Sequence, residues 1–84
     1  MTKPAKLYAN LLANPSLRIS FSDLEGLLLA FGFEIRPGKG SHRNCKHPSV
    51  PLILTIQPRG KEALPYQVKR LLEVVRGYDL HMRP

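Results

Sequence analysis

With 84 residues and a formal charge of +7, from 13 Lys and Arg against 6 Asp and Glu, the chain has room for one hydrophobic core and none for separate cofactor and substrate domains. Its excess of cations favours polyanionic partners, since each Lys or Arg that meets a phosphate releases condensed counterions. The single cysteine excludes an intramolecular disulfide framework, and no apolar run approaches the ~18 residues of a membrane span.

Leu7, Leu11 and Leu12 fall at helical spacing and predict a short helix over residues 6–14, stopped by Pro15. Ser20 is placed to cap a second helix. Asp23 stands three residues on, and Ile19 and Leu24 flank the cap as a hydrophobic staple. Phe21, Leu24, Leu27, Leu28 and Phe31 then form one apolar stripe, Gly32 supplies a left-handed terminator, and Phe33 folds back on the last turn. Residues 33–36 alternate apolar with charged and predict a strand, and Arg36-Pro37-Gly38-Lys39 fits a type II turn. Residues 41–47 read as a polar strand and 52–57, rich in β-branched residues between prolines, as the strongest one. Residues 58–64 read as a loop. Pro65 suits the start of a last helix on which Val68, Leu71, Leu72 and Val75 face one way, with Gly77 ending it and a short frayed tail from Tyr78. Helix, helix, three strands, helix is an α+β order. Its short loops predict an antiparallel meander with helices over one face and the other face open to solvent.

Between Arg36 and Lys61 the chain carries Arg36, Lys39, Arg43, Lys46, Arg59 and Lys61 with no acid at all. A one-signed local field points to phosphate binding more directly than net charge does. The dense part is Lys39-Gly40-Ser41-His42-Arg43, where Gly40 allows a ligand to approach the backbone closely. If Cys45 faces the core, period-two alternation puts Ser41, Arg43 and His47 on its side and His42, Asn44 and Lys46 on the solvent face. That parity separates His42 from Cys45 and His47, so the three do not converge on zinc and no metal site is expected. Cys45 reads as a small core residue, and His47 as a solvent-exposed strand-end residue within reach of RNA. RNA carries its own nucleophile, the 2′-hydroxyl. Its cleavage needs a base, cations for the charge on phosphorus and a proton for the leaving oxygen, all of which His42 and its neighbours can supply without a metal or other cofactor.

The run Gly40-Ser41-His42, the strand ending Lys46-His47-Pro48, the segment Leu54-Thr55-Ile56, and a basic loop before a last helix together resemble the HicA toxin family. So does the helix over residues 21–33 that ends in Gly-Phe. The resemblance implies a double-stranded-RNA-binding-domain-like α-β-β-β-α core over residues 19–77, here with an extra short N-terminal helix in an extension over 1–18 and a tail over 78–84, in one domain. It implies a metal-independent endoribonuclease that cleaves mRNA, with His42 as the catalytic acid/base, and a cognate HicB-type antitoxin that masks the site. Lys39, Gly40, Ser41, Arg43, Lys46, Arg59 and Lys61 are the expected RNA-binding residues. Two positions depart from the family pattern. Pro58-Arg59-Gly60 stands where members often have a loop histidine, and Cys45 stands where an aromatic is common. A non-catalytic RNA-binding module of the same fold is the alternative. The Met-Thr-Lys-Pro start does not read as a signal peptide, so a cytoplasmic location is expected, with no membrane partner.

Overall fold

Proline has no amide to leave unsatisfied, and its fixed φ suits a first helical turn. Accordingly the chain enters α1 (Pro4–Ala13) at Pro4, two residues before the predicted start. The computed structural model describes residues 3–82. Leu7 and Leu11 of α1 are buried, whereas Leu12 is 53% exposed, so the buried stripe is narrower than the leucine spacing implied. The second helix, α2 (Phe21–Ala30), is built as its sequence dictates. The Asp23 N–H donates to Ser20 Oγ at 3.0 Å, and Ile19 and Leu24 are buried on either side of the cap. At its end Phe33 N–H donates to Leu28 O and Gly32 N–H to Leu29 O, both at 3.0 Å, with Gly32 at φ 91°. These are the paired bonds of a Schellman termination.

Three antiparallel strands follow, β1 (Glu34–Pro37), β2 (Arg43–His47) and β3 (Val50–Ile56), with β2 in the centre. The register sets Ile35, Cys45 and Leu54 side by side, and next to them Arg36, Asn44 and Thr55. The first row turns toward the helices. Cys45 is fully buried and Leu54 nearly so, in one core with Leu7 and Leu11 of α1, Leu24, Leu27 and Leu28 of α2, and Val68 and Leu71 of the last helix. The second row lies on the open face, as period-two alternation requires. The last helix, α3 (Pro65–Gly77), completes the α-β-β-β-α order expected of a double-stranded-RNA-binding-domain-like core, with α1 added in front. No helix among the described residues is long and apolar enough to cross a membrane.

Four details differ from the sequence reading. Gly38 does not adopt the positive φ of a type II turn; Gly40 does, at 59°. The β1–β2 ladder runs on past Pro37, because Gly38 N–H donates to His42 O at 2.9 Å, and this carries the reversal onward to Lys39-Gly40-Ser41-His42. Residues read as a loop form a small hairpin, β4 (Pro58–Arg59) and β5 (Glu62–Ala63), with Gly60 at φ 64°. It is stitched to the entry of α2 by Ala63 N–H to Ile19 O and Phe21 N–H to Lys61 O. The turn after α3 is made by Asp79 at φ 51°, not by Gly77. Leu80 N–H returns to Val75 O and the Leu80 side chain is buried, so the segment is docked and not frayed. Residues 83–84 of the expected tail lie outside the described residues.

The fourth difference is His47. Between the pairs Cys45–Leu54 and His47–Val50 three residues of β3 oppose the single Lys46 of β2, so β3 bulges here, while alternation keeps the His47 ring on the core side with Cys45. Ser49 N–H donates to Nδ1 at 3.0 Å, which requires Nε2 to carry the proton that it donates to Phe31 O at 3.0 Å. The ring also meets Phe33 edge-on at 5.1 Å. His47 therefore ties β2 to the end of α2 and is a structural residue, not a solvent-exposed one.

Candidate active site

His42 stands just before β2, at the point where the Lys39-Gly40-Ser41 turn re-enters the sheet, and its side chain is exposed. Its Nδ1 lies 2.9 Å from Lys39 O. A carbonyl oxygen only accepts, so this bond places the proton on Nδ1 and leaves the lone pair of the neutral ring on Nε2. The same oxygen accepts the His42 N–H at 3.0 Å, so one main-chain atom fixes both backbone and ring. The turn that presents this oxygen depends on Gly40. A Cβ there would meet no atom of the chain within 4 Å, so within the fold it is the positive φ that calls for glycine.

The neighbours of His42 on the open face were only partly legible. Gly38, opposite it, has no side chain to cover the ring. A Cβ at Gly38 would come 3.2 Å from Asn44 Nδ2 and 3.5 Å from His42 Cβ. Thr55 Oγ1 donates to Asn44 Oδ1 at 3.2 Å, which turns the Asn44 amide so that its N–H₂ remains free beside Gly38. A hydrogen-bond donor set by a cross-strand partner is thus added to the site. Its signal in the sequence was the parity that put Asn44 on the face of His42.

Of the cations expected at the site, Lys39 and Arg43 flank His42 directly. Arg43 Nη1 donates back to His42 O at 3.1 Å, so its charge is held against the residue it follows. Ser41 is exposed in the turn, and its hydroxyl makes no hydrogen bond among the described residues. Lys46 shares the open face, but four residues along a strand is about 13 Å from His42, and it sits opposite Glu34. Arg36 is bound to that same Glu34 through Nη2 at 2.8 Å and Nε at 2.9 Å, which neutralises it locally. Arg59 and Lys61 lie on the β4–β5 hairpin. Arg43 pairs with Ile56, two residues before Pro58, so this hairpin leaves the sheet at the end where His42 stands. Arg59 and Lys61 line a cavity of about 450 Å³ together with Arg18 and Glu62. Arg18 had no signal in the sequence, since only folding brings it beside residues some forty positions on.

No group of three or more His, Cys, Asp or Glu side chains converges on a metal position among the described residues. The Cys45 thiol is pushed up to about 11 by burial, with the nearby Glu25 carboxylate adding to the effect, which makes it a poor nucleophile.

Residues 21–75, from the first residue of α2 to the later turns of α3, match the family model described as the HicA toxin of bacterial toxin–antitoxin systems. The chain belongs to the HicA toxin family. HicA proteins are the toxin halves of toxin–antitoxin pairs, generally mRNA-cleaving, so a toxin–antitoxin partner comes with the assignment. No curated protein and no solved structure matched the chain. The family match leaves out α1, which in this HicA member contributes Leu7 and Leu11 to the common core.

Proposed function

We propose that the chain is a metal-independent endoribonuclease toxin that cleaves mRNA, with His42 as its general acid/base. The observation that carries this reading is the bond from His42 Nδ1 to Lys39 O, which leaves an exposed Nε2 lone pair on a face bordered by cations. Nε2 takes the proton of a ribose 2′-hydroxyl, and the resulting oxygen attacks the adjacent phosphorus. The bond from phosphorus to the 5′-oxygen breaks, and that oxygen leaves as a hydroxyl with a proton returned by the protonated Nε2 or supplied by water. Lys39 and the Asn44 amide stabilise charge on the phosphoryl oxygens, and Arg43, next in the chain to His42, adds its charge at the sheet end. Arg59 and Lys61, with Gly40 and Ser41 lining the turn and Lys46 further along the face, hold the flanking phosphates. Because the nucleophile belongs to the RNA, no metal-activated water is needed. The partner is a HicB-type antitoxin that covers His42.

Replacing His42 by Ala tests the reading. Cleavage should fall by the ~10²–10⁴-fold typical of a lost general acid/base, while the fold and RNA affinity persist. Products of the parent chain should end in a 2′,3′-cyclic phosphate and a 5′-hydroxyl, and EDTA should not slow the reaction. Undiminished cleavage by a clean His42→Ala preparation would sink the assignment. A second reading, RNA binding without cleavage, is favoured by one observation. The loop after β3 carries Arg59, which keeps its charge and cannot pass a proton, so the chain offers one exposed histidine at the site and no second. In that case the parent chain binds RNA and leaves it intact.

A further inference from the structure

β3 is an outer strand, paired to β2 on one side only. Which of its main-chain groups face outward follows from the register. Gly38 N–H donates to its cross-strand partner His42, and antiparallel pairs alternate between bonded and unbonded. Arg36 and Asn44 are therefore a bonded pair, so Asn44 directs its N–H and C=O to β1. Arg43 and Cys45 direct theirs to β3, where they bond Ile56 and Leu54. Thr55 is left holding N–H and C=O toward the free edge, and Ile53, extended next to Leu54 at the start of the bulge, continues that edge. Gln57 comes next in the alternation, and its outward N–H is taken by Gln67 Oε1 of α3 at 3.1 Å. No strand pairs with that side of β3 to take the N–H of Ile53 or Thr55 among the described residues. Toward the other end Pro51 has no N–H to offer. The open stretch of edge is short and bounded.

Beside this stretch runs a groove of about 320 Å³ between β3 and α3. Its floor is apolar, with Leu24, Leu28 and Leu71 fully buried, and its rim carries Ile53 and Tyr66, respectively 55% and 64% exposed. Arg70 is also on the rim, and no acid lines the groove. Outward ladder groups on alternate residues, next to an apolar slot, fit a polypeptide in extended conformation, whose own groups and side chains repeat at the same spacing. Nucleic acid offers no such repeat. A second copy of this chain would bring another +7 to a cationic rim.

We propose that the free edge of β3 receives an extended, acidic strand of a protein partner, which adds to the sheet as a fourth strand and seats an apolar side chain in the groove beside Tyr66. This rests on the reading that the chain has a protein partner. It does not depend on His42 being catalytic.

The full chain, ¹⁵N-labelled, would be titrated with an end-capped peptide of alternating Val and Glu. The comparison peptides are one N-methylated at alternate residues and one with Lys in place of Glu. Saturable shifts should centre on the Ile53 and Thr55 amides, with their hydrogen exchange slowed about tenfold or more at saturation, and both comparison peptides should bind at least about tenfold more weakly. Ile53→Pro removes an outward donor and no bond to β2, so this variant should keep its fold and lose the protection. The proposal is overturned by the absence of saturable change at millimolar peptide, by equal binding of the Lys peptide, or by shifts confined to the His42 turn. Protection of Ile53 and Thr55 without peptide in a chain that sediments as a dimer would instead make the occupant a second copy. Protection by an RNA duplex alone would overturn the protein reading. Because the peptide carries no antitoxin fold, failure of antitoxin binding in a separate assay stays distinguishable from failure of edge pairing.

Discussion

The atom that directs His42 is the carbonyl oxygen of Lys39, so the geometry of the turn matters more to the ring than the Lys39 side chain does. Lys39→Ala should weaken RNA binding and leave the shape of the pH–rate profile unchanged. Gly40→Ala forces a Cβ into left-handed backbone, at a cost of about 1–2 kcal/mol, and should lose both stability and cleavage. Gly40→Asn should recover most of each, because asparagine tolerates that conformation. Gly38→Ala sets a different test. Its Cβ would crowd the Asn44 amide at 3.2 Å without backbone strain, so the rate should drop more than the urea midpoint does. Equal effects of the two alanines on stability would contradict this division of roles. Cys45 gives the molecule an alkaline weakness. Its thiol is raised to about 11 in the fold, so between its ordinary value near 9 and that point the unfolded chain gives up a proton that the native chain keeps. Stability is intact below pH 9 and declines above it, by roughly 2–3 kcal/mol in all. Cys45→Ala should flatten that decline in urea melts across pH, although its lost packing lowers the baseline.

Elements differ in how far their causes lie from one another along the chain. The His47 clamp illustrates a distant cause: parity puts the ring on the core side, but the Phe31 carbonyl it bonds there lies sixteen residues away at the end of α2. His47→Ala leaves the Ser49 N–H and Phe31 C=O without partners and should cost about 2 kcal/mol by denaturant titration, with little change in RNA affinity. A large affinity loss at full folding would instead return His47 to the RNA surface. Nothing local in Lys46-His47-Pro48 reveals this. By contrast α2 was legible in full, since its cap, staple and Schellman bonds all act within six residues. The Pro37-Gly38 pair misled because a local turn signal was overridden by the ladder: Gly38 N–H found a partner in His42 and the reversal moved to Gly40. The β4–β5 hairpin was hidden for a similar reason, being anchored by main-chain groups of Ile19 and Phe21. At the turn, the exposure of His42 was readable from parity, and the nearness of Lys39 and Arg43 to it only from adjacency in the chain. The approach of Arg18 to Lys61 depends on tertiary packing, whereas the Glu34 that neutralises Arg36 is local, two residues away on the same face of β1 and just outside the acid-free stretch.

Over the whole molecule the +7 charge does not act as one patch, and the ion pairs show which cations are free to act. Arg36 is committed to Glu34 at 2.8 Å, and Arg18 leans toward Glu62 at 3.9 Å. Lys39, Arg43, Arg59 and Lys61 make no ion pair among the described residues and stand at the His42 end of the sheet. Counterion release then separates them by experiment. Each phosphate neutralised on single-stranded RNA contributes about 0.7 to the slope of log K against log salt. Lys39→Ala and Lys61→Ala should each shallow that slope by roughly this amount, measured by fluorescence anisotropy on one RNA at several salt concentrations. Arg36→Ala should change it much less, because Glu34 already balances the charge that is removed. Equal slopes for the Arg36 and Lys39 variants would mean that RNA spreads over the sheet toward β1 and is not gathered at the His42 turn. That outcome would leave His42 at the margin of the bound strand, and the cleavage mechanism would lose the electrostatic support it requires.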